Sequence, residues 1–231
     1  MVDLVELADH YKTDKGSREG HAHNYTTLYS FLFEQFRNEE FTMLEIGLER
    51  GGVEAGASVD RRGSDVPSIR TWLDYFPKAS IHGFDLSNFS HIKLDRFQFH
   101  RGDLGSVADL DRLAATLPQL KLAIDDGSHA SFHQQLAFLK LFDKVQPGGF
   151  YVIEDFHWQP PFENALPPCR KTAEVFEIFL RTGVFDIPFA HPDYLAAIAA
   201  QIQNVFVHRS NKGGVNDWHF KMVALQKRLE V

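Results

Sequence analysis

The sequence predicts an α/β fold: an open, mostly parallel sheet with helices on both faces and an antiparallel C-terminal edge strand. Three observations carry this reading. Short apolar runs alternate with helical segments along the 231 residues, each of five successive runs ends at or near an acidic residue, and the chain closes with two strand-like runs about a polar turn.

Taken in order, "VDLVELADHY" and "YTTLYSFLFEQF" have helical spacing, the second placing Tyr25, Leu28, Tyr29, Leu32 and Phe36 on one face. The polar, glycine-bearing "KTDKGSREGHAHN" between them reads as a loop. The first strand is "FTMLEIG", ending in Glu45 before a glycine turn, and the second is "ASIHGFDLS", ending in Asp85. "FQFHRGDLGS" is the third, with Asp103, and "LKLAIDDGSH" the fourth, with Asp125 and Asp126. "GGFYVIEDFH" is the fifth, ending in Glu154 and Asp155. "SIRTWLDYF", "VADLDRLAATL" and "ASFHQQLAFLKLFDKV" are the covering helices. A Pro- and Phe-rich segment then leads to a helix at "VFEIFLRTG" and a hairpin over "NVFVHRSN" and "DWHFKMVALQ", whose last strand joins the sheet edge. The expected organisation is a helical cap over 1–40 and one compact sheet domain over 41–231.

Composition narrows the function classes. Hydrophobic residues make up 44% and the formal net charge is −7, without the basic footprint of a nucleic-acid binder. No run approaches the roughly 20 apolar residues of a membrane helix. The acidic start lacks the basic lead of a signal peptide, and the single Cys169 suits a reducing compartment, so a cytoplasmic location is expected.

Ligands of open α/β sheets bind at the carboxyl ends of the strands, and there the acids gather. A glycine turn (Gly47, Gly51) after the first strand and Asp85 after the second form a mononucleotide-binding arrangement, in which the acid takes ribose hydroxyls. The turn is not G-x-G-x-x-G, and Glu45 would repel a pyrophosphate but suit an ammonium-bearing cofactor. That favours S-adenosylmethionine over NAD, with Asp103 and Asp125 as further cofactor contacts. Asp126, Glu154 and Asp155 end neighbouring strands; three such carboxylates would raise one another's pKa unless a hard cation (Mg²⁺, Mn²⁺ or Ca²⁺) sat between them. His129, three residues after Asp126, is placed to take a proton from a substrate hydroxyl whose acidity the metal raises.

"YKTDKGS", "HNYTTLYSFLF", "MLEIGLERGG", "IHGFDLS" and "DDGSHASFHQQLAFLKLFDKVQPGGFYVIED" together resemble a class I S-adenosylmethionine-dependent methyltransferase. More narrowly, they resemble the metal-dependent macrolide-sugar O-methyltransferases of the mycinamicin type and the cephalosporin hydroxylase-like group, over about residues 9 to 157. The resemblance implies a Rossmann-like sheet, His129 as the base of a D-x-x-H motif, and an N-terminal segment folded over the cofactor with Thr13 and Lys15 near its carboxylate or the substrate. The stretch from 53 to 67 is longer than a minimal glycine loop.

Other residues carry weaker readings. Ser128 reads as a helix cap, with capping also the alternative for Asp125. His133 reads as a packed or supporting histidine with substrate contact as the alternative, and His157 and Trp158 as substrate contacts by location. His21 and His23 read as solvated or lid residues, and Cys169 as inert. The expected reaction is methylation of a hydroxyl, one of a vicinal pair, on a sugar or glycosylated natural product. The alternatives are an NAD-dependent oxidoreductase and a non-catalytic cofactor-binding accessory protein. No nucleic-acid or membrane partner is expected, and the N-terminal helices offer a contact for a homo-oligomer.

Overall fold

The computed structural model describes residues 2–19, 22–211 and 218–229. Helices α1 (Leu4–Tyr11) and α2 (Tyr25–Phe33) precede β1 (Thr42–Ile46). Then follow α3 (Pro67–Tyr75), β2 (Ser80–Asp85), β3 (Phe97–Arg101), α4 (Val107–Thr116), β4 (Leu120–Asp125), α5 (Ser131–Leu141) and β5 (Val145–Glu154). The chain finishes with α6 (Thr172–Thr182), α7 (Pro192–Ala200), β6 (Ile202–Asn211) and β7 (Trp218–Lys227).

The seven strands form one sheet in the order β3-β2-β1-β4-β5-β7-β6. The pairs among β1 to β5 are parallel, and β7 runs antiparallel to both β5 and β6. The last strand thus joins the parallel sheet at β5, leaving β6 outermost. Helix α7 has no counterpart in the sequence reading; Pro192 opens it, and the His191 ring accepts a hydrogen bond from the Asp193 N–H at 3.3 Å.

Strand alternation sends neighbouring side chains to opposite faces. Leu44, Ala123, Tyr151 and Ile153 pack with Leu110, Phe138 and Phe176 on one side. Met43, Leu122, Ile124, Phe150 and Val152 pack on the other with Tyr25, Tyr29, Phe33 and Trp72. The N-terminal helices therefore belong to the same core as the sheet. An Asp3–Glu6 capping box starts α1, and Lys12 ends it in the left-handed conformation.

The loop after α1 is tied down locally. Asp9 accepts hydrogen bonds from the Ser17 N–H at 2.7 Å and the Ser17 hydroxyl at 2.6 Å. The Lys15 carbonyl accepts from the Thr26 N–H at 3.1 Å and the Thr26 hydroxyl at 3.2 Å. This holds residues 13–18 against the carboxyl ends of the strands.

Candidate active site

A cleft of about 1040 Å³ opens at those carboxyl ends, lined by the glycine turn, the loops after β2, β3, β4 and β5, and the N-terminal loop. Gly47 explains how the turn lies so close to β4. Its φ is +82°, and a Cβ there would stand 2.0 Å from the Asp126 carbonyl oxygen, so only glycine fits. The Asp126 N–H donates to the Ile46 carbonyl at 2.9 Å and the Gly47 N–H to the Phe84 carbonyl at 2.9 Å, stitching three strand ends together.

Most predicted cofactor residues line this cleft: Thr13, Lys15, Gly47, Gly51, Asp85 and Asp103. Asp85 uses its carboxylate to brace the loops, accepting from the Leu48 N–H at 2.9 Å and the Ser87 N–H at 2.7 Å. Asp103 accepts from the Gly105 N–H at 2.8 Å. Glu45 and Asp125 depart from the expectation, because both are fully buried behind the cleft wall. The pleat turns Asp125 away from the side Asp126 faces. Burial pushes the Asp125 carboxyl up to about 7, although the Gly127 N–H donates to it. Glu45 accepts from the Trp72 indole N–H at 3.2 Å. Burial likewise pushes its carboxyl up to about 7, against the opposing pull of Lys15 and with Asp126 adding to the rise.

The acid-rich strand ends resolve into two clusters that share Asp126. In the first, ligand atoms of Asp126, His129 and Asp155 all lie within 4.8 Å of one another. His129 (φ +60°) and Asp155 (φ +48°) both adopt the left-handed conformation, strain that non-glycine residues hold chiefly where surroundings enforce it. The buried His129 Nδ1 has no hydrogen-bond partner. The His129 ring packs edge-on against Trp158, with centroids 5.6 Å apart. Asp155 accepts from the Tyr25 hydroxyl at 2.5 Å, with His23 Nε2 at 3.4 Å and His157 Nδ1 at 3.9 Å. Burial alone would raise the Asp155 carboxyl, but His23, His129 and Tyr25 together hold it below its usual range.

In the second cluster, the Lys15 ammonium donates to Asp126 and, at 2.7 Å, to Glu154, with Glu45 Oε1 3.6 Å away. The Tyr29 hydroxyl donates to the other Glu154 oxygen. Glu154 is therefore enclosed and fully partnered, and its carboxylate lies outside the Asp126–His129–Asp155 group. Burial, and then Asp126, raise the Glu154 carboxyl well above its usual value. Burial would lower the Lys15 pKa, but the carboxylates around it more than reverse that, so the ammonium keeps its proton. Its charge is neutralised within the protein rather than offered to a cofactor carboxylate.

Several neighbours escaped the sequence reading. Tyr25, Tyr29 and Lys221 carried only packing or strand signals, and nothing local marks them as partners of residues more than a hundred positions away. His23 is buried rather than solvated; its ring lies 3.5 Å from the Lys221 ammonium and stacks on Tyr25. His21 lies outside the described residues. Ser128 is not the helix cap: Ala130 holds that position, and the Glu163 carboxylate accepts from the first helical N–H at 3.1 Å. Ser128 Oγ instead pairs with His133 Nδ1 at 2.7 Å. His133 lines the cleft with a pKa lowered by burial, and His157 and Trp158 line it too. Cys169 lies in the partly buried segment before α6, its thiol pushed up to about 11 by burial.

A strand order of 3-2-1-4-5-7-6, with a glycine turn and cofactor-sized cleft at the carboxyl ends, defines the class I S-adenosylmethionine-dependent methyltransferase fold. No family model matches the chain. It is 37% identical over 179 residues to mycinamicin VI 2''-O-methyltransferase of Micromonospora griseorubida, an alignment covering 74% of this chain and 41% of that protein. It is 37% identical over 174 residues to demethylmacrocin O-methyltransferase of Streptomyces fradiae, covering 73% and 40%. It is 34% identical over 164 residues to the 8-demethyl-8-alpha-L-rhamnosyl tetracenomycin-C 2'-O-methyltransferase of Streptomyces olivaceus, covering 70% and 41%. The solved MycE methyltransferase of the mycinamycin pathway, in complex with Mg, SAH and mycinamycin VI, superposes with a TM-score of 0.73 and 26% identity, covering 99% of this chain and 55% of that one. The chain is a homologue of the macrolide-sugar O-methyltransferases, and spans about two fifths of the length of the curated relatives it matches.

Proposed function

We propose that the chain is a divalent-metal- and S-adenosylmethionine-dependent O-methyltransferase, acting on a sugar hydroxyl of a glycosylated natural product. The observation that carries this is the Asp126–His129–Asp155 group lining the glycine-turn cleft. Hard oxygen donors, a histidine nitrogen with no hydrogen-bond partner and left-handed backbone at two of the three residues fit a site built to hold a cation such as Mg²⁺. Asp126 and Asp155 would hold the metal, with Glu154 as a third carboxylate once released by Lys15. The relatives named above act on sugars carried by quite different cores, macrolide and tetracenomycin, which supports the sugar as the shared acceptor.

A divalent metal held by Asp126 and Asp155 would supply the acidification of a substrate hydroxyl, one of a vicinal pair in our reading. His129 would take the proton of the attacking hydroxyl, and the cofactor's sulfonium would supply the methyl group, leaving as the neutral thioether. Trp158 orients the His129 ring from the side, while Tyr25 and His23 fix Asp155. The glycine turn and Asp85 would seat the nucleoside, and residues 13–18 would cover it. In-line alignment of oxygen, methyl and sulfur then supplies much of the rate.

An NAD-dependent oxidoreductase is not supported, since G-x-G-x-x-G is absent and the relatives are methyltransferases. A non-catalytic accessory role is set aside because Asp126, His129 and Asp155 are gathered in one group. No helix among the described residues is long and apolar enough to cross a membrane; a cytoplasmic enzyme on a small-molecule acceptor, assembling through its N-terminal helices, is our reading. Calorimetry with S-adenosylmethionine, with and without Mg²⁺, on wild type and Asp126→Ala tests it. Cofactor binding together with Mg²⁺ binding that Asp126→Ala abolishes is expected; no cofactor binding under any condition would overturn it.

A further inference from the structure

We infer that the Lys15 ammonium is a resident competing cation that shifts from Asp126 and Glu154 to Glu45 when a divalent metal enters, so that Lys15 and Glu45 together set the metal affinity of the site. The inference rests on the metal site proposed above and concerns residues that need not touch the metal.

Four carboxylates, from Glu45, Asp126, Glu154 and Asp155, converge at the ends of β1, β4 and β5. Lys15 Nζ contacts the middle two, and Asp126 belongs as well to the group that would ligate the metal. A divalent cation at Asp126 would stand within a few ångströms of the ammonium, a repulsion that low-dielectric surroundings sharpen. While the ammonium stays in place it also withholds Glu154 from the metal.

The structure contains a place for the ammonium to go. Glu45 Oε1 is fully buried and has no hydrogen-bond partner, yet lies 3.6 Å from Lys15 Nζ. Closing that gap turns a 3.6 Å ion pair into a hydrogen bond to a buried oxygen that otherwise lacks one. The movement needs side-chain rotation only, because Thr26 holds the Lys15 carbonyl with two hydrogen bonds. Tyr29 keeps its bond to Glu154 and prevents that carboxylate from losing all support as the ammonium leaves. Lys15 is thus a positioning residue: it decides whether Glu154 is closed off or available.

Titration of wild type, Lys15→Met, Lys15→Arg and Glu45→Gln with Mn²⁺, read by electron paramagnetic resonance of the free ion, tests this without turnover. Lys15→Met should bind Mn²⁺ about ten-fold more tightly than wild type, since the competitor is gone and Glu154 is free. Lys15→Arg, which retains the charge, should stay near wild type. Glu45→Gln should bind several-fold more weakly, because the displaced ammonium loses its destination. Opposite shifts in Lys15→Met and Glu45→Gln support the inference; weakening in both is the signature of a purely structural role and overturns it. Should Lys15→Met fail to fold by circular dichroism, Glu45→Gln decides alone, and unchanged affinity there overturns the inference. Wild type that binds Mn²⁺ while Lys15→Met shows no tightening defeats this inference and leaves the metal site standing. Wild type that binds no Mn²⁺ defeats both.

Discussion

The two clusters that share Asp126 solve the same electrostatic problem in different ways. Around Lys15, carboxylates are buried and neutralised by a cation the chain itself supplies, with Tyr29 and Trp72 filling most remaining acceptor positions. Around His129, the carboxylates face the cleft, the backbone is strained, and one ring nitrogen has no hydrogen-bond partner. The first arrangement is closed and resembles a buried structural ion pair; the second lines the cleft. Breaking a closed pair should cost folding stability. Breaking the open group should cost chemistry while leaving the fold intact. Backbone strain and exposure to the cleft, rather than the mere number of acids, tell the two apart.

The sharpest way to break the comparison is the shared residue. Asp126→Asn should abolish metal binding and lower kcat/KM by roughly 10³-fold or more, because the metal's charge stabilisation goes with it. It should also lower the melting temperature, since one acceptor of a buried ammonium is weakened. Mn²⁺ titration beside thermal denaturation checks both effects. A variant that loses only stability would place Asp126 in the closed cluster alone.

Next comes His129→Ala, expected to reduce kcat by about 10²–10⁴-fold while S-adenosylmethionine and Mn²⁺ still bind. Cofactor affinity that falls in parallel with kcat would make His129 a binding residue instead.

Gly47→Ala probes the seam between the glycine turn and Asp126. The new Cβ would meet the Asp126 carbonyl at 2.0 Å with φ at +82°, so a loss of more than about 3 kcal/mol is expected by chemical denaturation. The closed cluster can be tested more gently with Tyr29→Phe. Removing the hydroxyl leaves a buried Glu154 oxygen without its donor and should cost about 1–3 kcal/mol, read by the same method.

The smallest expected effect is a control outside both clusters. His82 and His100, on β2 and β3, stack with ring nitrogens 2.8 Å apart. Burial, and then His100, push His82 down to about 4, and burial lowers His100 as well. An unfolded histidine titrates near about 6.5, so between there and about 4 the unfolded chain binds more protons than the folded one. Stability from this pair is full above that window and is lost as pH falls through it. Melting temperature should drop by a few degrees more in wild type than in His82→Gln between pH 7 and pH 5. Equal slopes would show that the pair is protonated in the folded protein.

The mostly parallel sheet and the glycine turn were legible because each leaves a local mark: short apolar runs alternating with helical segments, acids at strand ends, and glycines after the first strand. Asp126, His129 and Asp155 were legible for the same reason, since each lies within a few residues of a recognisable strand end. The division of the acids was not. Asp125 and Glu45 read as cofactor contacts until the fold buries them behind the cleft wall, and Glu154 reads as a metal ligand equal to Asp126 until Lys15, 111 positions from Asp126 and 139 from Glu154, encloses it. Helix α7 lay in a segment whose apolar pattern follows a proline and histidine that cap it, a signal too short to separate from loop.

Fold class, cleft position and family resemblance were readable along the chain, because they depend on helical periodicity, short apolar runs and contiguous motifs. Which carboxylates face the cleft and which are neutralised behind it emerged only in three dimensions. That choice depends on where one ammonium group settles, and contacts between residues so distant in the chain exist only once the sheet has closed around them.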